Sequence, residues 1–370
     1  MTAVRPGPGR HLLVWLALAL VPAFTVTALV AHAFREKHDA LAVEWTARGE
    51  RALHEARAAD AVDAFRTALT FDRDNRLVRL RLAQALSAAD RHPEANAYLL
   101  TLWETQPGNG PVNLELGRLA ARSGDVRGAE RYYHNAIEGA WADGAEARRR
   151  QVRLELTRFL VQQRATDLAQ AELIHLSNDL PDSPATRQEV ADLLLAVGMP
   201  ERALELYRPL VDTGQGTQAA AAGAGRAAFA LGDDVRAERY LGRAVRAGGS
   251  EVRLAEELAT VRAILANDPF ARRLALRERA ARASRGVGRA MARLQLCGEA
   301  PAPIALRERL AAVVPTLAPR RLAAEPEGLD AAMDLVFEAE RYAEQAGCGA
   351  AEPLDRALLT LAERRARADS

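Results

Sequence analysis

Residues able to do chemistry are few and scattered. The histidines are His11, His32, His38, His54, His92, His134 and His175, none beyond position 175 and no two at H-x-x-x-H spacing. A zinc site draws His, Cys or carboxylate ligands from short fixed spacings. No metal is expected here, and no cofactor. The sequence contains no phosphate-binding G-x-x-x-x-G-K-[ST] loop and no G-x-S-x-G nucleophile turn. Gly286-Val287-Gly288 is a fragment of a dinucleotide motif inside a helical pattern. Acidic residues are plentiful, but i,i+4 pairing with arginine on solvated helix faces accounts for them. Catalysis is therefore not expected. Cys297 and Cys348 are the only cysteines. They are either two unrelated buried thiols or one disulfide made in an oxidising compartment.

The elements that carry these residues are helical. Alanine, leucine, arginine and glutamate dominate, and they lose little freedom in a helix. No convincing period-2 strand appears. The formal net charge is +1 over 370 residues, which gives no electrostatic reason to expect nucleic acid as a partner. Lys37 is the only lysine, so nearly all positive charge is guanidinium, first of all a coding bias.

Residues 12–34 are almost wholly apolar, interrupted by His32 and two threonines. At about 1.5 Å per residue they are long enough for a hydrocarbon core of about 30 Å. Arg5 and Arg10 precede them in a Pro/Gly tail, residues 1–11, expected to be unstructured. A transmembrane signal anchor is expected, binding the lipid bilayer through residues 12–34. The rival is a cleaved signal peptide, because Ala31-His32-Ala33 fits a small-x-small site. Lys and Arg counts on the flanks barely discriminate orientation. The long downstream body is expected outside the cytoplasm, in the periplasm and held at the inner (cytoplasmic) membrane. Export after cleavage near Ala33 is the alternative.

A period of 34 residues organises the body. Ala61, Ala95 and Ala129 are 34 apart; a step of 40 reaches Ala169, and two more of 34 reach Ala203 and Ala237. Twelve residues before these landmarks stand Gly49, Ala83, Gly117, Thr157, Ala191 and Gly225. Four after stand Phe65, Leu99, Tyr133, Leu173, Tyr207 and Leu241; seven after stand Ala68, Leu102, Ala136, Leu176, Leu210 and Ala244. A turn glycine lies five before in three units: Gly124, Gly198 and Gly232. Pro107 and Pro181 close two units, and Trp45 fills the fourth position of the first. These columns resemble the tetratricopeptide repeat family. The units are 42–75, 76–109, 110–143, 150–183, 184–217 and 218–251, together 42–251. Thr157 departs from the small residue of its column, and Arg73, Trp141 and Gln215 from the closing proline. Residues Trp141 to Arg149 are expected to be a lengthened loop.

The resemblance implies an all-α fold: a right-handed superhelical solenoid of helix-turn-helix repeats, preceded by one N-terminal transmembrane helix and followed by a helical C-terminal module. Small residues at positions 8 and 20 let two helices approach, and the bulky residue at 24 fills the gap beside them. No unit buries its apolar stripe alone, so neighbours stack. The first helices then line a concave groove for a protein or peptide partner. Its implied contacts are Glu50, Gln84, Arg118, Arg158, Asp192 and Arg226 at position 9, with Leu80, Leu114, Leu154 and Gln188 at position 5. Leucines beside arginines suit an acidic or extended peptide. The lysine and asparagine set with which some relatives grip a C-terminal carboxylate is absent. Alternatively the face is solvated and empty.

Residues 252–268 read as a capping helix and 269–370 as a helical module of no recognisable family. Within the module, helices are expected at about 270–296, 304–314, 328–346 and 353–367. The function expected is a membrane-anchored scaffold that binds a protein partner in the cell envelope, in assembly, secretion or polysaccharide export. Alternatives are a tethered regulatory or sensor subunit and an accessory subunit of an envelope enzyme.

Overall fold

The computed structural model describes residues 8–214, 216–248 and 251–368, and within the first helix it leaves out the side chains of residues 8–17, 19 and 21–23. Among the described residues every regular element is a helix, and one isolated bridge joins Asn109 to Ala140. By compactness the chain divides at residues 172 and 173, inside helix α8.

The first unit holds α1 (Pro8–His54), α2 (Ala58–Phe71), α3 (Arg76–Ala88), α4 (His92–Thr105), α5 (Gly110–Arg122), α6 (Val126–Glu138), α7 (Ala145–Gln162) and the start of α8 (Thr166–Asn178). The second holds α9 (Pro184–Ala196), α10 (Pro200–Asp212), α11 (Gln218–Ala230), α12 (Asp234–Arg246) and α13 (Val252–Asn267), then α14 (Leu276–Gln295), α15 (Pro301–Val313), α16 (Pro319–Ala324), α17 (Glu327–Gln345) and α18 (Pro353–Ala368). Consecutive helices pack as hairpins: α1 on α2, α3 on α4, α5 on α6, α9 on α10 and α11 on α12.

The repeat columns explain the packing. The landmark alanines Ala61, Ala95, Ala129, Ala169, Ala203 and Ala237 are all fully buried. The bulky column from Phe65 to Leu241 is buried in every unit. A Cβ built at Gly49 would lie 2.6 Å from the Phe65 ring, and one at Gly225 would lie 2.6 Å from Leu241 Cγ. Positions 8 and 24 thus meet across the hairpin, and only a small residue admits the approach.

Each hairpin turns in the same way. Ala56, Asp90, Gly124, Arg164, Gly198 and Gly232 all have positive φ, from 57° to 76°. The next residue's N–H bonds back to the helix in all six: Arg57 to the Ala52 carbonyl at 2.8 Å, Asp125 to Ala120 at 3.0 Å, Asp233 to Ala228 at 2.9 Å. This is the Schellman closure, which satisfies the last carbonyls through one left-handed residue. Three units make it without glycine.

A capping residue starts most first helices. Asn75, Asn109, Ser183 and Thr217 each accept a hydrogen bond from the backbone N–H three residues on, as N-caps do. In the same column the first and fourth units have Leu41 and Arg149, which cannot cap. There the helix runs past the expected start. Helix α7 begins at Ala145, so most of the expected loop at 141–149 is helix, built from Ala, Glu and Arg. Helix α1 is continuous from residue 8 through Arg35–Asp39 into the first repeat. The described part of the tail, 8–11, is therefore helical rather than unstructured.

The transmembrane anchor expected at 12–34 is not supported. No helix among the described residues is long and apolar enough to cross a membrane. Ten of the side chains in that segment lie outside the described residues, and charged residues continue the helix without a break.

The module after α13 has its own core. Val287 and Leu294 of α14, Met333 and Phe337 of α17 and Leu358 of α18 are buried together. The helix expected from residue 270 starts at Leu276. Phe270 N–H instead bonds the Asp268 carboxylate at 2.9 Å, and Arg273 adopts φ 65°. A 3-10 turn (Val314–Leu317) and α16 were not expected; Pro315 and Pro319 break the chain there. Cys297 and Cys348, just beyond the ends of α14 and α17, are bonded to each other, with Cα atoms 4.8 Å apart.

Candidate functional site

The first helices of the first unit share one face, and its polar residues form a ladder. Position 9 of one repeat meets position 6 of the next. Glu50 forms an ion pair with Arg81, whose Nε lies 2.9 Å from the carboxylate. Gln84 Nε2 donates to Glu115 at 2.9 Å. Arg118 makes two parallel bonds to Glu155, at 2.8 and 2.9 Å, and a third to Glu115 at 2.9 Å. In the second unit Arg226 repeats the pattern with Glu257 at 2.9 Å. Register alone explains this: residues 31 apart within a 34-residue period lie opposite each other on neighbouring first helices, and the 40-residue step makes it 37 for Arg118 and Glu155.

The ladder fixes charge. The Glu155 hydrogen bonds, aided by the Glu115 and Glu155 charges, outweigh burial and raise the Arg118 pKa above its ordinary value. Burial of Glu155 opposes its charge, but the Arg118 bonds prevail and its pKa falls below the usual glutamate range. Tyr133 donates its hydroxyl to Glu155 at 2.9 Å, and burial together with that carboxylate pushes its pKa up. All three hold one protonation state at neutral pH. They position; they do not exchange protons.

Beside the ladder lies a cleft of about 350 Å³. Leu77, Leu80 and Leu114 are its apolar part, with Trp141 at one wall. The Trp141 ring fits because residue 110 is glycine, where a Cβ would be 2.5 Å away, and its Nε1 donates to the Ala136 carbonyl at 2.8 Å. Leu77 is 58% exposed and Val43 is 70% exposed. Both occupy position 2, and they line a neighbouring hollow that also includes Glu50. A third hollow, of about 670 Å³, brings Arg118, Arg122 and Arg158 around Glu155.

The expected contacts are thus divided. Leu80, Gln84, Leu114 and Arg118 line one cleft; Arg158 joins Arg118 at another; Glu50 lies at a third. Leu80 is buried at 8% exposure and serves the core as much as the face. Leu154 is half-buried. In the second unit Gln188 accepts from the Thr217 hydroxyl at 2.8 Å, and Asp192 accepts from the Tyr207 hydroxyl. Sequence reasoning missed Arg81, Glu115 and Glu155 at position 6, and Val43 and Leu77 at position 2. Polar complementarity at a spacing of 31, or 37 across the 40-residue step, is the signal that the first group carries. Among the described residues no three His, Cys, Asp or Glu side chains gather as a metal site.

Residues 52–112 match the tetratricopeptide repeat family model. That match runs from the end of α1 through α2, α3 and α4 to the start of α5. Solved structures with similar repeats include PilW, a type IV pilus biogenesis factor, at 19% identity and TM-score 0.42, covering 60% of this chain and 97% of that one. A tetratricopeptide repeat protein from Parabacteroides merdae is 11% identical with TM-score 0.42, covering 87% and 99%. YrrB, described as a TPR protein with an unusual peptide-binding site, is 16% identical with TM-score 0.43, covering 53% and 97%. Among curated proteins no significant match was found.

Proposed function

We propose that this chain is a non-catalytic scaffold whose first-helix face holds an extended segment of a protein partner. The observation that carries it is the exposed apolar row of Val43 and Leu77 leading to Leu114, beside the Trp141 wall. Exposed apolar side chains aligned on one face are what a partner covers. The arginines have a different role from the one expected. Arg118 and Arg226 are already bound to glutamates, so they set the repeat register, and an acidic segment would have to compete with Glu155 and Glu257. The partner segment is therefore anchored by apolar side chains, with hydrogen bonds from the polar rim.

We place this scaffold in the cell envelope with its repeats in the periplasm. Two observations support that placement. The Cys297–Cys348 bond belongs in an oxidising compartment. Phe24, Leu29, Val30 and Phe34 of α1 are each more than 60% exposed, an apolar surface that calls for cover. The test combines a topology reporter after Ser370 with photo-crosslinking from Leu77. A cytoplasmic reporter with free thiols would overturn the placement. Leu77→Asp that captures the partner undiminished, in folded protein, would overturn the anchoring face.

A further inference from the structure

Within the second compact unit a cleft of about 470 Å³ opens among α11, α13 and α18. Phe229, Leu241, Val261 and Leu359 give it an apolar floor. One wall is α18, which lies outside the repeats, so the cleft is no part of the face proposed to hold the partner in the first unit. That wall is fixed in place. Arg364 grips the Asp234 carboxylate at 2.7 and 2.9 Å and the Phe229 carbonyl at 3.0 Å. Its guanidinium also lies over one face of the Phe229 ring, 4.9 Å from the centroid.

Three guanidiniums line the cleft. Arg226 pairs with Glu257 at 2.9 Å, and Arg253 shares that carboxylate at 3.3 Å. Arg356 differs. Its Nε donates to the Thr260 hydroxyl at 3.2 Å and its Nη1 to the Ala351 carbonyl at 2.7 Å. Among the described ion pairs it meets no carboxylate. It is half-buried, whereas the rim carboxylates of Glu256 and Glu363 are exposed, where water and salt screen them. A positive charge beside an apolar floor, partly removed from water, favours an anion with an apolar body. The volume lies within the range of about 300–1,000 Å³ typical of small-molecule sites.

We propose that this cleft binds a small amphipathic carboxylate of medium-chain size. The carboxylate sits on Arg356 and the chain lies over Phe229 and Leu359. The site stands independently of the partner-binding face.

The test titrates octanoate, octan-1-ol and octylammonium into the full chain, followed by calorimetry or by chemical shifts of Phe229. Octanoate should saturate and bind at least tenfold tighter than octanol, with octylammonium weakest. Arg356→Gln should bring octanoate down to the octanol level. Leu359→Trp, which fills the floor, should abolish both, with the melting temperature reporting that the fold is kept. Equal binding of octanoate and octanol would overturn the role of Arg356. Preference for octylammonium would mean that Glu256 and Glu363 rule the site, and would overturn the proposal. So would octanoate binding that survives Leu359→Trp, or no saturation in the unmodified chain. If Leu359→Trp instead impaired capture of a protein partner while octanoate never bound, the cleft would be a protein contact and the proposal would fall.

Discussion

Adding one methyl group at Gly225 and at Gly288 should move the stability of the second unit in opposite directions. Both glycines sit inside helices, α11 and α14, where Gly→Ala is worth about 1 kcal/mol in helix propensity. At Gly288 a Cβ meets nothing within 4 Å, so the full gain of about 1 kcal/mol should appear. At Gly225 the Cβ lies 2.6 Å from Leu241 Cγ and 3.0 Å from the Leu241 backbone nitrogen. The second contact is backbone, so the helices themselves must separate. Overpacking of this kind costs about 1–3 kcal/mol, which turns the propensity gain into a net loss of up to about 2 kcal/mol. For a unit of this size 1 kcal/mol corresponds to roughly 2–4 °C in Tm. Thermal unfolding followed by far-ultraviolet circular dichroism should show Gly288→Ala melting a few degrees higher and Gly225→Ala lower. A Gly225→Ala variant as stabilised as Gly288→Ala would refute close helix approach at position 8, and with it the packing logic of the repeat.

Four further outcomes are expected. Ala56→Gly should stabilise the first unit by about 1 kcal/mol, because alanine is held there at φ 57° in a region that only glycine adopts without penalty; an unchanged urea midpoint would speak against it. Ala129→Leu or Ala203→Leu should destabilise by roughly 1–3 kcal/mol through overpacking of a fully buried site, and unchanged melting of both would count against the repeat register. Glu340, fully buried beside Arg293, has its pKa pushed up to about 7 by burial, against the pull of the Arg293 hydrogen bond. Its folded pKa exceeds the ordinary value of 4.5, so its contribution is full below about pH 4.5 and is lost as pH rises through about 7, amounting to at most ~3 kcal/mol. Glu340→Gln should flatten the stability–pH curve in that window, and an unaltered slope would remove Glu340 as its source. Reducing the Cys297–Cys348 bond, which spans 51 residues, should destabilise the C-terminal module by about 4 kcal/mol through loop entropy, measurable as a urea midpoint with and without reductant.

What the sequence made legible was whatever depends on local period. Small residues at 8 and 20 and bulky ones at 24 recur within the hairpin that they pack, so one chain of spacings reveals both helices. The turn column was only half visible. Gly124, Gly198 and Gly232 announce a left-handed residue, while Ala56, Asp90 and Arg164 adopt the same conformation because the hairpin imposes it. The ladder from Glu50 to Glu155 was hidden for another reason. A groove arginine reads as free in sequence, and its partner is defined only once neighbouring repeats are stacked. The extended starts of α1 and α7 follow from Leu41 and Arg149 standing where other units carry a cap, a signal present in the sequence but silent without the helix ends. The module after residue 269 has no period at all. Its ion pairs, Arg289 with Asp355 at 2.6 Å and Arg293 with Glu340 at 2.7 Å, join residues far apart in the chain.

The central claim, a partner held on the first-helix face, is tested most directly by photo-crosslinking in living cells from two positions of one repeat. Leu114 in α5 lines the cleft, and Arg131 in α6 is an exposed residue of the second helix. One discrete protein adduct from Leu114, lost in Leu77→Asp and absent from Arg131, is the predicted result. Adducts from Arg131 alone, or from neither position, would contradict it.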